Sequence, residues 1–383
     1  LGNQSVLGLE DFIDVLCTRP EVKAIGLHIE GLKDISRFSE AALKALEAGV
    51  PIVALKTGSS KIGSELTVSH TASLSGSDDL FQALFDRLGI IRVSNPAQLL
   101  ETLKFICVAG IPKGKRMVGL TCSGGGATML ADHAETIGLE FKKPSKEITK
   151  RLTHLLHYTA TVSNPLDYTT PIWGIPERVT PVFEALLTDS YDTAVFVQDY
   201  PPPELDESKP YYLSDAKSFI DASSKASIPA AICSTLPENM DQETREMLVE
   251  NGVAPMQGIH EALDAISGAA WYFSRREAIR KNGIEKLHLI PGSGISDDIS
   301  VSTLIDESEG KQLLQKIGLN VPEGRISYTA EVPEFAEKLG FPVVVKMLGK
   351  NLVHKTDAGA IALNLSSCED VKIAVERIKK DVY

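Results

Sequence analysis

Met117-Val118-Gly119-Leu120-Thr121-Cys122-Ser123-Gly124-Gly125-Gly126-Ala127 decides the fold. Its opening residues form a short apolar run of the kind that is buried on both faces of a parallel sheet. The glycines break that run, and Thr128–Ile137 then reads as a helix. A strand-to-helix turn of this type lies at the carboxyl edge of a parallel sheet, where open α/β sheets bind ligands. Three glycines let the backbone approach closely and aim N–H groups at an anion, and the positive end of the helix dipole adds about 0.3–1 kcal/mol. Tight packing of a helix on a sheet calls for glycine as readily. The turn also matches neither the dinucleotide fingerprint nor the phosphate loop, so both readings of Ser123, Gly124, Gly125 and Gly126 stay open on sequence alone.

Outward from this turn the chain repeats strand, then helix. Apolar runs at Ala24–Ile29, Pro51–Leu55, Ile90–Val93, Thr193–Val197, Ala230–Cys233, Gly252–Pro255 and Pro342–Lys346 read as further buried parallel strands, which makes this an α/β chain. Two blocks echo each other. Ala24–Glu30, Pro51–Gly58 and Gly89–Leu103 correspond in spacing and type to Thr193–Asp199, Ile228–Thr235 and Gly252–Ile266, so two related α/β domains are expected. The second opens with Met117–Thr136, whereas the first has only a short helix, about Leu9–Cys17, ahead of Ala24. The first domain is therefore expected to lack its opening strand, and without an initiating Met, Leu1 is not the expected native start. Boundaries are expected at 1–111 for the first domain and 112–275 for the second. A linker at 276–300 then runs from a polar helix around Arg275–Lys281 through Pro291-Gly292-Ser293-Gly294, and a third region at 301–383 reads as the front of something larger.

The 383 residues carry a net charge of −12, with a pI near 5.3. That field repels nucleic acid and anionic membranes, so neither is an expected partner and a small-molecule enzyme fits better. Cys17, Cys107, Cys122, Cys233 and Cys368 are scattered, without zinc spacing and too few for a disulfide framework. No apolar run approaches the roughly 20 residues of a membrane span, and the first residues have no signal-peptide pattern. A reducing, cytoplasmic setting is expected.

Ser69-His70-Thr71-Ala72-Ser73-Leu74-Ser75-Gly76-Ser77 precedes a helix expected to begin near Asp78. Small hydroxylated residues and glycine ahead of a helix start let N–H and hydroxyl groups converge on an anion. An imidazole of ordinary pKa, about 6.5, is largely neutral at neutral pH and can attack phosphorus. A capped loop histidine has the same composition. Glu30, at the end of the strand Ala24–Ile29, can accept an imidazole N–H and fix the tautomer, or can be a solvated carboxylate. Asn164-Pro165-Leu166-Asp167 reads as a structural turn, and His154 and His157 lack a third ligand, so no metal site is expected.

Taken in order, Glu30, the His70 stretch, Ser123–Gly126, Asn164–Asp167, Val344-Val345-Lys346 and Leu352-Val353-His354-Lys355-Thr356-Asp357-Ala358-Gly359 resemble the NDP-forming acyl-CoA synthetases, relatives of succinyl-CoA synthetase. The resemblance implies two flavodoxin-like (succinyl-CoA synthetase-like) three-layer domains with parallel sheets, followed by the first part of an ATP-grasp domain. It implies that acyl-CoA, NDP and phosphate are converted reversibly to carboxylate, CoA and NTP through an acyl-phosphate and a phosphohistidine. In that scheme His70 carries the phosphate, Glu30 stabilises it and Ser123, Gly124, Gly125 and Gly126 grip it. Lys346 and His354 stand on the nucleotide side, with ATP or ADP, Mg2+ and CoA as cofactor and substrates. Glycine is usual in the family where Ala72 stands. The resemblance also implies missing parts: the CoA-binding domain, a second phosphate-gripping helix start and the metal-binding half of the ATP-grasp domain. A homo-oligomer or a complex with those domains is the expected assembly. A non-catalytic module sensing acyl-CoA or nucleotide, or part of a fused protein-lysine acetyltransferase, is the alternative, although no acetyltransferase stretch is present in the sequence.

Overall fold

The computed structural model describes residues 4, 6–60, 62–63, 78–201, 207–283, 305–316, 318–348 and 359–382, and the chain divides into two units, Leu1–Glu285 and Lys286–Tyr383. The first unit runs α1 (Leu9–Leu16), β1 (Ile25–Ile29), α2 (Ile35–Ala48), β2 (Ile52–Lys56), α3 (Asp78–Leu88), β3 (Ile91–Val93) and α4 (Pro96–Val108). It continues with β4 (Met117–Thr121), α5 (Gly124–Ile137), α6 (Lys146–Leu155), β5 (Leu166–Asp167), α7 (Pro176–Leu187), β6 (Thr193–Val197), α8 (Lys209–Ala226), β7 (Ala230–Ser234), α9 (Gln242–Glu250), β8 (Val253–Gln257) and α10 (Ile259–Asn282).

Two parallel sheets result, ordered β1-β2-β3 and β5-β4-β6-β7-β8. β2, β4, β6 and β7 are buried along their whole length, as continuous apolar runs in a covered parallel sheet require. β1 lies at the edge of its sheet and alternates between buried and exposed residues. In the pairing, Ile25 N–H donates to Pro51 O at 2.9 Å and Ala194 N–H to Pro229 O at 3.0 Å. The two halves are therefore matched through Pro51 and Pro229, one residue from the correspondence suggested by spacing.

The sheets share one core. Val53, Leu55, Ile91 and Val93 of the first and Val195, Ala231 and Ala254 of the second pack with Phe105 of α4 and Leu263 and Ile266 of α10. Each of the Val, Leu, Ile and Phe side chains contributes about 1.5–3 kcal/mol on full burial. The helix α10 carries on through residues 276–282, which composition assigns to the linker. Its arginines have work there: Arg275 Nε donates to Asp86 O at 2.7 Å and Arg276 Nε to Leu46 O at 2.8 Å, each a carbonyl in the last turn of a helix.

In the second unit α11 (Glu307–Lys316), α12 (Val332–Leu339), β9 (Val343–Lys346), β10 (Ile361–Leu365) and α13 (Cys368–Val382) follow. Pro342–Lys346, expected as a buried parallel strand, instead pairs antiparallel with β10. Val343 and Val345 pack towards Ala336, Val371 and Val375, while Val344 is 49% exposed, so one face is covered and the period is two. Among the described residues no helix is long and apolar enough to cross a membrane.

Candidate functional site

The helix α5 begins earlier than the glycine run suggests. Ser123, in an extended conformation (φ −139°, ψ 126°), caps the helix: its Oγ accepts Gly126 N–H at 3.4 Å, and its carbonyl accepts Ala127 N–H at 3.1 Å. The glycines are thus the first turn of the helix, not a loop ahead of it. They divide between the two readings of the motif. A Cβ on Gly126 would stand 2.7 Å from Thr121 Oγ1 and 3.6 Å from Val197 Cγ1, so packing on the sheet excludes a side chain there. A Cβ on Gly124 or Gly125 would meet only Asp167 Oδ2 or Ser123 Oγ, each at an ordinary 3.6 Å. Gly124 and Gly125 are exposed, and first-turn N–H groups have no partner within their own helix. This helix start can accept an anion.

Neighbouring strand ends hold the turn in place. Thr121 Oγ1 accepts Ser123 N–H at 3.1 Å. Asn164 Oδ1 accepts Gly119 N–H at 2.9 Å, while its Nδ2 donates to Met117 O at 2.8 Å and Lys142 O at 2.9 Å, so Asn164 pins its turn to the flank of β4. Asp167 Oδ1 accepts Thr169 N–H at 2.9 Å. Beneath this edge Asp215 is fully buried and accepts Tyr168 O–H at 2.6 Å and Gly174 N–H at 3.0 Å. Burial pushes its carboxyl up to about 6, against those two hydrogen bonds, which favour the charged form. Burial likewise pushes the Cys122 thiol up to about 11, in keeping with a core residue and not a nucleophile.

Glu30 follows β1 at the carboxyl edge of the first sheet, is exposed, and has no hydrogen-bond or ion-pair partner among the described residues. Glu30 and Ser123–Gly126 therefore stand on the carboxyl edges of different sheets, and no hydrogen bond or ion pair among the described residues joins them. In the second unit Lys346 ends β9 and binds Glu307 of α11 at 2.8 Å. His70 and His354 lie outside the described residues. Among the described residues no group of three or more His, Cys, Asp or Glu could hold a metal ion.

Sequence reasoning missed the charges beside Glu30. Lys56 ends β2 and is buried, and Arg92 of β3 binds Asp78 of α3 at 2.6 Å. The available signal was a lysine closing an otherwise apolar run, one residue past the expected strand end.

Comparison with known proteins gives two domain matches: a succinyl-CoA ligase like flavodoxin domain over residues 1–106 and an ATP-grasp domain over residues 300–383. The chain is 26% identical over 371 residues to an ADP-forming acetate–CoA ligase I of Archaeoglobus fulgidus, covering 95% of this chain and 51% of that protein. It is 28% identical over 388 residues to a trans-feruloyl-CoA synthase from an unknown prokaryotic organism, covering 100% of this chain and 53% of that protein. The chain spans about half the length of the curated relatives it matches. Its fold is shared with the dinucleotide forming acetyl-coenzyme A synthetase 1 of Ca. Korarchaeum cryptofilum, solved in complex with phosphate and ADP, with a TM-score of 0.62 and 22% identity over 73% of this chain and 59% of that one.

Proposed function

We propose that this chain, a relative of the NDP-forming acyl-CoA synthetases of the succinyl-CoA synthetase-like superfamily, carries the phosphate-relay part of an acid–thiol ligase. A phosphate oxygen attacks the thioester carbonyl of acyl-CoA and the CoA thiolate leaves, giving an acyl-phosphate. His70 then attacks phosphorus through one ring nitrogen and releases the carboxylate. Glu30 accepts the N–H on the other nitrogen, which fixes the tautomer and favours the cationic phosphohistidine. A terminal oxygen of NDP takes the phosphoryl group and leaves NTP, and the whole sequence is reversible. Splitting one transfer between distant partners into two covalent steps lets each occur at its own site.

The observation that carries this reading is the start of α5. Packing fixes only Gly126, so Gly124 and Gly125 are left as exposed backbone donors at a positive helix end, where phosphate gains most. Lys346 and His354 serve the nucleotide side, and Mg2+ arrives with the nucleotide. The test is thioester formation by the full-length protein from ATP, CoA and a panel of carboxylic acids. Wild type is expected to turn over at least one acid and His70→Ala none; equal rates in the two proteins would rule out the relay.

A further inference from the structure

The carboxyl edge of the first sheet holds a buried cation that this chemistry has not yet used. Lys56 is 5% exposed. Its ammonium donates to Thr57 O and stands 4.6 Å from the centre of the Phe81 ring. No carboxylate among the described residues forms an ion pair with it: Asp78 is bound to Arg92, and Asp78 and, more weakly, Glu30 act on Lys56 only through their longer-range fields, against that of Arg92. Lysine is almost never buried without a paired charge, because an ammonium out of water is costly. A carbonyl and an aromatic face compensate only part of that cost.

The fold does not ask for this charge. Ser234 stands in β7 where Lys56 stands in β2, four residues after Ala230 as Lys56 is four after Ile52, and it is equally buried and neutral. The acids at the two edges differ in the same way. Asp199, the counterpart of Glu30, is satisfied internally by Thr235 N–H at 2.9 Å, Thr235 O–H at 2.8 Å and Asn239 Nδ2 at 3.0 Å. The acid of one edge is held by its own hydrogen bonds, and that of the other has no hydrogen-bond or ion-pair partner among the described residues and stands beside a buried lysine.

We propose that Lys56 is a phosphate-binding residue: its ammonium receives a tetrahedral oxyanion, inorganic phosphate or a phosphoryl group, at the carboxyl edge of the first sheet. An ammonium has three donors and Thr57 O takes one, which leaves two for the oxyanion while the Phe81 ring shields the pair from water. Glu30, on the neighbouring strand end, keeps its own acceptor role at the same edge. The proposal rests on the phosphate-transfer reading above, and its test separates the two.

Binding of inorganic phosphate to the full chain is measured by calorimetry for wild type, Lys56→Met, Lys56→Gln and Lys56→Arg. Loss of one charged hydrogen-bonding group predicts affinity about 10- to 100-fold weaker for Met and Gln, with Arg within a few-fold of wild type. The melting temperature of Lys56→Met is expected not to fall, since an apolar chain replaces a buried charge that is only partly compensated. Equal affinity in wild type and whichever of the Met and Gln variants folds, or no phosphate binding by wild type, overturns the proposal. Labelling of wild-type His70 from ATP is scored separately. Label with unchanged affinities removes Lys56 alone, and weakened affinity without label removes the phosphohistidine and leaves Lys56 as a phosphate ligand.

Discussion

Replacing Gly126 and Gly125 by alanine, one at a time, should move stability in opposite directions although the two residues are neighbours in the same helical turn. At Gly126 the new Cβ would sit 2.7 Å from Thr121 Oγ1, a side chain that is 1% exposed and already accepts Ser123 N–H at 3.1 Å. Thr121 cannot swing away without giving up that bond, while Val197 Cγ1 at 3.6 Å would be an ordinary contact. Overpacking of this kind costs about 1–3 kcal/mol. The better helix propensity of alanine offsets up to about 1 kcal/mol, so Gly126→Ala should lose up to about 2 kcal/mol. At Gly125 the Cβ meets only Ser123 Oγ at 3.6 Å, and the propensity gain of up to about 1 kcal/mol stands alone. Urea unfolding followed by circular dichroism reads both. Gly126→Ala as stable as wild type, or equal losses in both variants, would refute the division of the glycine run into one packing residue and two exposed backbone donors.

Glu30→Gln should lower turnover by about 10²–10⁴ while leaving the melting temperature in place, because Glu30 is exposed and without a partner among the described residues; a matching fall in stability would count against a role in the chemistry. Asp215, with its carboxyl pushed up to about 6, holds a proton in the native state that the unfolded chain releases near the ordinary carboxyl pKa, so stability should fall as pH rises from about 4 to 6, by up to about 3 kcal/mol, and then level off. Asp215→Asn should flatten that slope, and parallel slopes in urea midpoints would contradict it. Lys346 is held by Glu307 at 2.8 Å, so Glu307→Gln should tighten ADP binding by up to about 5-fold and Lys346→Met should weaken it by about 10-fold, both read by calorimetry.

Strands such as β4, β6 and β7 stand where their apolar runs lie because both faces are covered, and no other pattern competes. β5 is two residues long and leaves no run to find, while β10 carries Asn364 at φ +55° and an interrupted register, which hides its alternation. Glycine's poor helix propensity hides the start of α5; the Ser123 cap and the close approach to Thr121 override it. Arg275–Lys281 reads as a polar helix leading into the linker, and its docking through Arg275 and Arg276 on the distant carbonyls of Asp86 and Leu46 is what the sequence does not reveal. Lys56 looks like a surface lysine until β2 is seen at the centre of its sheet. Glu30 and Ser123–Gly126 could be singled out by residue type and place along the chain and Lys346 only through the family resemblance, whereas the buried charge beside Glu30 depends on strand order, which spacing alone does not encode.

In the proposed relay, phosphate passes through a covalent bond to His70. Incubating the full-length protein with labelled ATP and magnesium, then quenching and mapping the label, tests it most directly. A phosphoramidate is predicted: label on His70 that is lost in acid, survives base, disappears on adding a competent carboxylate with CoA, and is absent from His70→Ala. Turnover of acyl-CoA by wild type with no label on His70 at any time, matched by full turnover in His70→Ala, would mean direct transfer between substrates and would contradict the relay.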